Sequence, residues 1–446
     1  MWAVLKRIER FVVSYTTALR GADRRDKGFL GWPNPPTPTL APFMGWRWAV
    51  HDNPAMERKI LLAGGGIGGL ATALACGHLG MGTQLFEKKR ALAEVGAGVQ
   101  LGPNAVRLLE GWGLGAALDA VACFPQRLEV RRAHSGALLG TLPLGARALQ
   151  RYGARYATIA RIDLHTLLHR AVLAQGLTEI HLGRAAQRVS QDASAVELIT
   201  DDERKRRANV LIAADGLWSH VRDFLRQDVQ PVFSGHLAYR AMAKQADLPQ
   251  ALRSDCITVW LGPAMHAVQY PVHSGELLNL VVIVEGAAPA EPQEWEQAAL
   301  RSDLSARLAQ TCSALQDLVG AIAPWRLWPL NGLPHLRGPQ DMAFGRIALL
   351  GDAAHPMLPY LAQGAGMAIE DAAVLARCLH QGPADDAKAL LRYAALRWRR
   401  NARVQARAER NGEIFHATGI TAWGRDTAMR LLGTRLLDMP WLYRGV

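Results

Sequence analysis

Residues 56–70 read "MERKILLAGGGIGGL", a short apolar run that breaks into glycines and resumes with helical spacing. "KILLAG" has the length and composition of a buried strand, and "GLATALACGHLG" reads as a helix stopped by glycine. Between them Gly64, Gly66 and Gly69 stand at GxGxxG spacing. The first permits a tight turn, the second lets backbone approach a pyrophosphate, and the third lets helix and strand lie close. Free amides at the helix start favour negative charge there. "TQLFEKK" is a second strand ending at Glu87, 18 residues past Gly69, where a carboxylate can grip an adenosine ribose. The unit is βαβ. It predicts a doubly wound α/β sheet that binds a dinucleotide.

Two further strand-to-helix corners follow. "ANVLIAADG" is a buried strand that ends at Asp215 and enters a helix at "LWSHVRDFL". "RIALL" is another, with Gly351 and Asp352 at its carboxyl end, where open α/β sheets bind ligands. Asp352 can accept hydrogen bonds from sugar or ribityl hydroxyls. "QGAGMAIEDAAVLA" then opens a helix, so the amides of Gly364, Ala365, Gly366 and Met367 are expected to face the same ligand. A helix start there would stabilise the anion of a reduced flavin ring. The second glycine turn, some 280 residues after the first, thus implies that distant chain folds back onto one ligand. "GWGLG" at 111–115 follows a helix instead and reads as its C-terminal stop.

From Val232 to Glu285 the texture changes to strand-like runs separated by Gly, Pro and Ser, which predicts an antiparallel sheet. Helices are expected across 293–319, 362–380 and 387–411. With half of 446 residues apolar, a large core is available and wholesale disorder is excluded. The five cysteines (Cys76, Cys123, Cys256, Cys312, Cys378) are scattered, without metal-ligand spacing, and read as reduced thiols of a cytoplasmic protein. No apolar run has the roughly 18 residues of a spanning helix, so no integral membrane association is expected. The net charge of +12 concentrates partly in 387–410, which holds eight Lys/Arg and one acid, Glu409. Without stacking aromatics beyond Tyr393 and Trp398 it reads as a solvated helix face rather than a nucleic-acid site. Residues 1–55 carry six prolines and a short basic amphipathic stretch, "AVLKRIERFVVSYTTALR". They read as a dispensable extension, with a targeting or membrane-surface segment as the alternative.

The three corners, in this order, resemble the FAD-dependent aromatic hydroxylases, the single-component flavoprotein monooxygenases that include p-hydroxybenzoate, salicylate and 3-hydroxybenzoate hydroxylases. The likeness runs from Met56 to about Asn411 and rests on the GxGxxG, on "ADGLWSHVR" and on "GDAAHPMLPYLAQGAGMAIED". It implies a Rossmann-like FAD-binding domain of the p-hydroxybenzoate hydroxylase type, interrupted by an antiparallel substrate sheet and closed by C-terminal helices. The expected division is 56–230 and 329–380 for the FAD domain, 231–328 for the substrate sheet, and 381–446 for the helical end. The resemblance also implies FAD, NADH or NADPH as electron donor, O2 as cosubstrate, and oxygen transfer through a C4a-hydroperoxyflavin. Arg161, in "ARIDLH", matches the arginine that the family places on FAD.

"MHAVQYP" resembles the active-site strand of the 3-hydroxybenzoate 6-hydroxylase and 6-hydroxynicotinate branch, which maps substrate contacts onto His266 and Tyr270. An electrophilic oxygen needs an electron-rich ring, and a relay that deprotonates a phenol provides one. Four apart on a strand, the two share a face roughly 13 Å apart and should bracket a substrate. Gln100 stands where hydroxynicotinate enzymes carry histidine, and Pro359 where a 3-hydroxybenzoate 6-hydroxylase carries glutamine. "WRLWPL" departs from the WxWxIP of flavin halogenases. The expected substrate is a small phenolic carboxylate, salicylate-like or 3-hydroxybenzoate-like. A larger phenol or polyketide, or a non-catalytic FAD-fold binding module, remain the alternatives, and a homodimer is left open.

Overall fold

The computed structural model describes residues 58–91, 97–289, 297–299, 301–381 and 385–446. The extension 1–55 and its amphipathic stretch lie outside the described residues. The apolar strands Ile60–Ala63, Thr83–Glu87, Val210–Ala213 and Ile347–Leu349 pair in parallel, as near-continuous apolar runs buried on both faces should. Thr178–Leu182 and the short hairpin strand Ala343–Phe344 complete a six-stranded sheet. Helices Ile67–Gly77 and Gly364–Gln381 share its core, and Val189, Val196 and Leu198 of a three-stranded sheet join them. Gly113, at φ 79°, ends helix Pro103–Gly111, as the glycine-rich "GWGLG" implied.

The second sheet has eight strands and is not confined to 231–328. Strands Val232–Lys244, Ile257–Gly262, Met265–Val272 and Leu277–Glu285 form its centre. The hairpin Arg127–Arg132 with Leu138–Pro143 extends one edge, pairing in parallel with Ile257–Gly262. Trp325–Gly332 extends the other. The helix expected across 293–319 is a strand first: Gln297–Ala299 pairs with Trp325–Gly332, and helices follow at Arg301–Arg307 and Ser313–Ala321. The open hydrogen bonds of an edge strand outweighed a weak helical pattern.

Alternation along Met265–Val272 sends Met265 and Ala267 to a core shared with Leu304, Leu315 and Leu318. Tyr270 and Val272 turn the other way, toward Met367, Val404 and Tyr443. The basic helix Asp386–Phe415 is not a merely solvated face. Arg397, wholly buried, pairs with Glu370 at 2.8 Å and Asp371 at 2.6 Å, and Arg400 pairs with Glu370 at 2.7 Å. Among the described residues no helix is long and apolar enough to cross a membrane.

Candidate active site

Three adjacent parallel strands end in the three motifs, so their corners lie in one row. The order across the sheet is Ile347–Leu349, Val210–Ala213, Ile60–Ala63, then Thr83–Glu87. Hydrogen bonds continue past the strand ends: Leu350 N–H to Ala213 O, Ala214 N–H to Ala63 O, and Gly64 N–H to Phe86 O, at 2.7–2.9 Å. Gly64 turns at φ 103°, and a Cβ there would lie 2.4 Å from Ala214 O. A Cβ on Gly69 would lie 1.9 Å from Gly64 O. At Gly66 the same construction meets no protein atom within 4 Å, and the helix it opens has no side-chain cap. Open space before uncapped amides is what a pyrophosphate requires.

Glu87 accepts from the Gly65 amide at 2.6 Å and the Lys89 amide at 2.9 Å, which fixes its carboxylate at the strand end. Asp215 accepts from the Val221 amide at 3.3 Å, while its Oδ1 is buried without a partner. Burial pushes its pKa up, so an added donor there has much to stabilise. Asp352 opens onto the cleft. The surrounding protein raises its pKa, opposed by the charges of Arg161 and His355. The structure thus brings Arg161 to Asp352 from the start of helix Arg161–Gln175. A Cβ on Gly364 would be 4.0 Å from Asp352 Oδ1, which places the second glycine turn against the same carboxylate. Gly364, Ala365 and Gly366 begin the helix with no earlier turn to accept their amides. Met367 differs from that expectation. Its amide makes the first helical bond, 2.8 Å to Gln363 O, and its side chain is fully buried.

Beside the cleft is a cavity of about 140 Å³. Val130, Val259, His266 and Val268 form its sheet wall, and Pro359–Ala362 wall it from the loop after Asp352. Helix Asp386–Phe415 contributes Arg407 and Asn411, and the chain end contributes Arg425, Met429 and Tyr443. His266 lies in the wall of this cavity. Its Nδ1 is 2.8 Å from His416 Nε2, and burial, with the charges of His416 and His236, holds its pKa well below the usual value. Tyr270 shares its face but stands one step back. Its hydroxyl meets Gln100, which with Tyr156 forms the cavity wall there, and Tyr156 donates to Gln100 Oε1 at 2.8 Å. Burial raises the Tyr270 pKa against the pull of Arg240, so it is a neutral donor at physiological pH. The expected bracket is thus one-sided: Gln100 intervenes.

Sequence reasoning missed His416, His236 and Arg407, which lie in segments without a motif, and gave no role to Tyr360 inside the stretch 351–371. Their helix and strand positions converge only through tertiary folding. Arg222 was within reach, since it ends "ADGLWSHVR". Buried, it donates to Leu217 O at 2.7 Å and Ala353 O at 3.2 Å, tying the second corner to the third.

An α/β sheet with three strand-end corners in a row, beside a cavity walled by an antiparallel sheet, is the architecture of a flavin-dependent monooxygenase of the p-hydroxybenzoate hydroxylase type. The FAD binding domain family model matches residues 57–408. The chain belongs to that family, as an FAD-dependent aromatic hydroxylase. It is 34% identical over 397 residues to the 3-hydroxybenzoate 6-hydroxylase of Polaromonas naphthalenivorans strain CJ2, covering 88% of this chain and 97% of that protein. It is 35% identical over 386 residues to the 3-amino-4-hydroxybenzoate 2-monooxygenase PtnB3 of Streptomyces platensis, covering 86% and 95%. Among solved structures, a variant HpxO of Klebsiella pneumoniae in complex with FAD superposes with a TM-score of 0.75 at 26% identity, covering 85% and 96%.

Proposed function

We propose that the protein hydroxylates a single-ring phenolic carboxylate, with NADH or NADPH as electron donor and O2 as cosubstrate. The carrying observation is the cavity: about 140 Å³, with His266 in its wall and Pro359–Ala362 of the loop after Asp352 on another side. An apolar cavity of about 150 Å³ takes benzene. That size favours one substituted ring over a polyketide, and the hydroxybenzoate and aminohydroxybenzoate substrates named for the relatives are such rings.

Gly64, Gly66 and Gly69 would hold the pyrophosphate, Glu87 the ribose, and Arg161, Asp215 and Asp352 the flavin side of FAD. The amides of Gly364, Ala365 and Gly366 would face the flavin ring. FAD, held there and reduced by NAD(P)H, would activate O2 so that one oxygen atom is delivered as an electrophile and the other leaves as water. The protein's part is to make the ring nucleophilic. His266 is neutral near pH 7 and can accept the phenol proton on the nitrogen not used toward His416. Tyr270 orients Gln100. Arg407, a cation in the cavity wall, would pair with the carboxylate, and the apolar wall of Val130, Val259 and Val268 would keep water from the reacting carbon.

The test is a panel of mono- and dihydroxybenzoates, aminohydroxybenzoates and carboxylate-free phenols, scored for stimulated NAD(P)H oxidation with product mass measured. Addition of one oxygen to a hydroxybenzoate is expected. Turnover restricted to carboxylate-free or multi-ring phenols would overturn the reading.

A further inference from the structure

Outside the cavity wall, three side chains converge that the hydroxylase reading does not use. His236 lies on strand Val232–Lys244, Glu285 ends its neighbour Leu277–Glu285, and His416 follows helix Asp386–Phe415. One ligand-type atom from each lies within 4.8 Å of the other two. His416 is 6% exposed, its Nε2 is taken by His266, and its Nδ1 is buried without a hydrogen-bond partner. That same Nδ1 is 3.5 Å from Glu285 Oε1. His236 Nδ1 is likewise buried without a partner. Two buried imidazole nitrogens without a partner are costly to leave unmatched. An exposed carboxylate stands beside them.

We propose that His236, His416 and Glu285 bind one zinc-class divalent cation at the outer end of the histidine pair that reaches the cavity. Two imidazoles and a carboxylate are a donor set for such ions, with a fourth position left to water. Ligands about 2.1 Å from a tetrahedral centre stand about 3.4 Å apart. The His416–Glu285 separation of 3.5 Å already fits, and the widest pair must close by at most about 1.4 Å. His266 holds the far nitrogen of His416, as an outer partner commonly orients a ligating histidine.

The site has a consequence for the neighbouring ring. With the cation on Nδ1, His416 must carry its proton on Nε2 and donate it to His266 Nδ1. His266 then carries its own proton on Nε2 and can no longer accept one there. This link rests on the reading of His266 as the substrate's proton acceptor; cation binding does not.

Zinc is titrated calorimetrically into the FAD-loaded, chelator-treated full chain, beside Glu285→Gln and His236→Gln. One equivalent per chain is expected, bound at least about tenfold more weakly by each variant. No saturable equivalent, or wild-type affinity in both variants, overturns the site. Product per NAD(P)H is then measured with and without saturating zinc. Zinc should lower it in the wild type and not in Glu285→Gln. Stoichiometric binding with unchanged coupling upholds the site and overturns the proton link.

Discussion

His266 and Tyr270 sit four residues apart on one strand, yet only the histidine reaches the cavity wall. On the proposed reading, replacing His266 with Asn removes the proton acceptor while keeping a polar side chain. General-base assistance is typically worth about 10²–10⁴-fold, so reducing equivalents should escape as hydrogen peroxide. Product per NAD(P)H should fall at least about tenfold. Tyr270→Phe acts through Gln100, so its loss should be smaller, within about fivefold, given a neutral hydrogen bond worth about 1 kcal/mol. Peroxide and product assayed together check both, and equal uncoupling would place Tyr270 on the substrate after all. Asp352→Ala should leave the fold intact and lose flavin. A charged hydrogen bond is worth about 1.5–3 kcal/mol, or roughly 10–100-fold in FAD affinity. The flavin-to-protein absorbance ratio after dialysis reads this directly.

At the scale of the element, the turn from strand Ile60–Ala63 into helix Ile67–Gly77 separates structural from ligand constraints. Gly69→Ala forces a methyl to within 1.9 Å of Gly64 O, so helix and strand must part. Its melting temperature should drop. Gly66→Ala meets nothing within 4 Å, so the apoprotein should melt as wild type does while FAD affinity falls. Thermal melts with and without added FAD distinguish the two, and equal apoprotein destabilisation would contradict this division. The same elements show what a single sequence makes legible. The strand–glycine–helix corners were readable because buried strands are runs of Ile, Leu, Val and Ala and the glycines obey close-approach geometry. The strand Gln297–Ala299 and the hairpin Arg127–Pro143 were not recognised as parts of the sheet, because their pairing depends on edges supplied by distant chain. His416 was invisible for the same reason: 150 residues separate it from His266.

At the scale of the molecule, helix Asp386–Phe415 is locked to helix Gly364–Gln381 by buried charge. Arg397 meets Glu370 and Asp371, and His355 meets Asp371 at 2.5 Å. Burial alone would raise the Asp371 pKa, but His355 and Arg397 hold it below the usual carboxylate range. Arg397→Met leaves two carboxylates without that partner and should cost about 3–5 kcal/mol in chemical denaturation. Such ties were not legible from charge alone, since the same arginines fit a solvated helix. Acid should loosen the molecule from the other side. Burial lowers the His416 pKa to about 4, against about 6.5 when unfolded. The unfolded chain therefore binds the extra proton first, and stability present above about pH 6.5 is lost progressively toward pH 4. In His416→Asn the difference in melting temperature between neutral and mildly acidic buffer should shrink.

Arg425, Met429 and Tyr443 close the cavity from the last 22 residues of the chain, whereas the glycine corners come from strands far upstream. Natural variation in that tail can reshape which ring is admitted without disturbing the flavin's cradle. Divergence among such hydroxylases then has a cheap route: inherit the redox half unchanged, and let the tail explore new substrates.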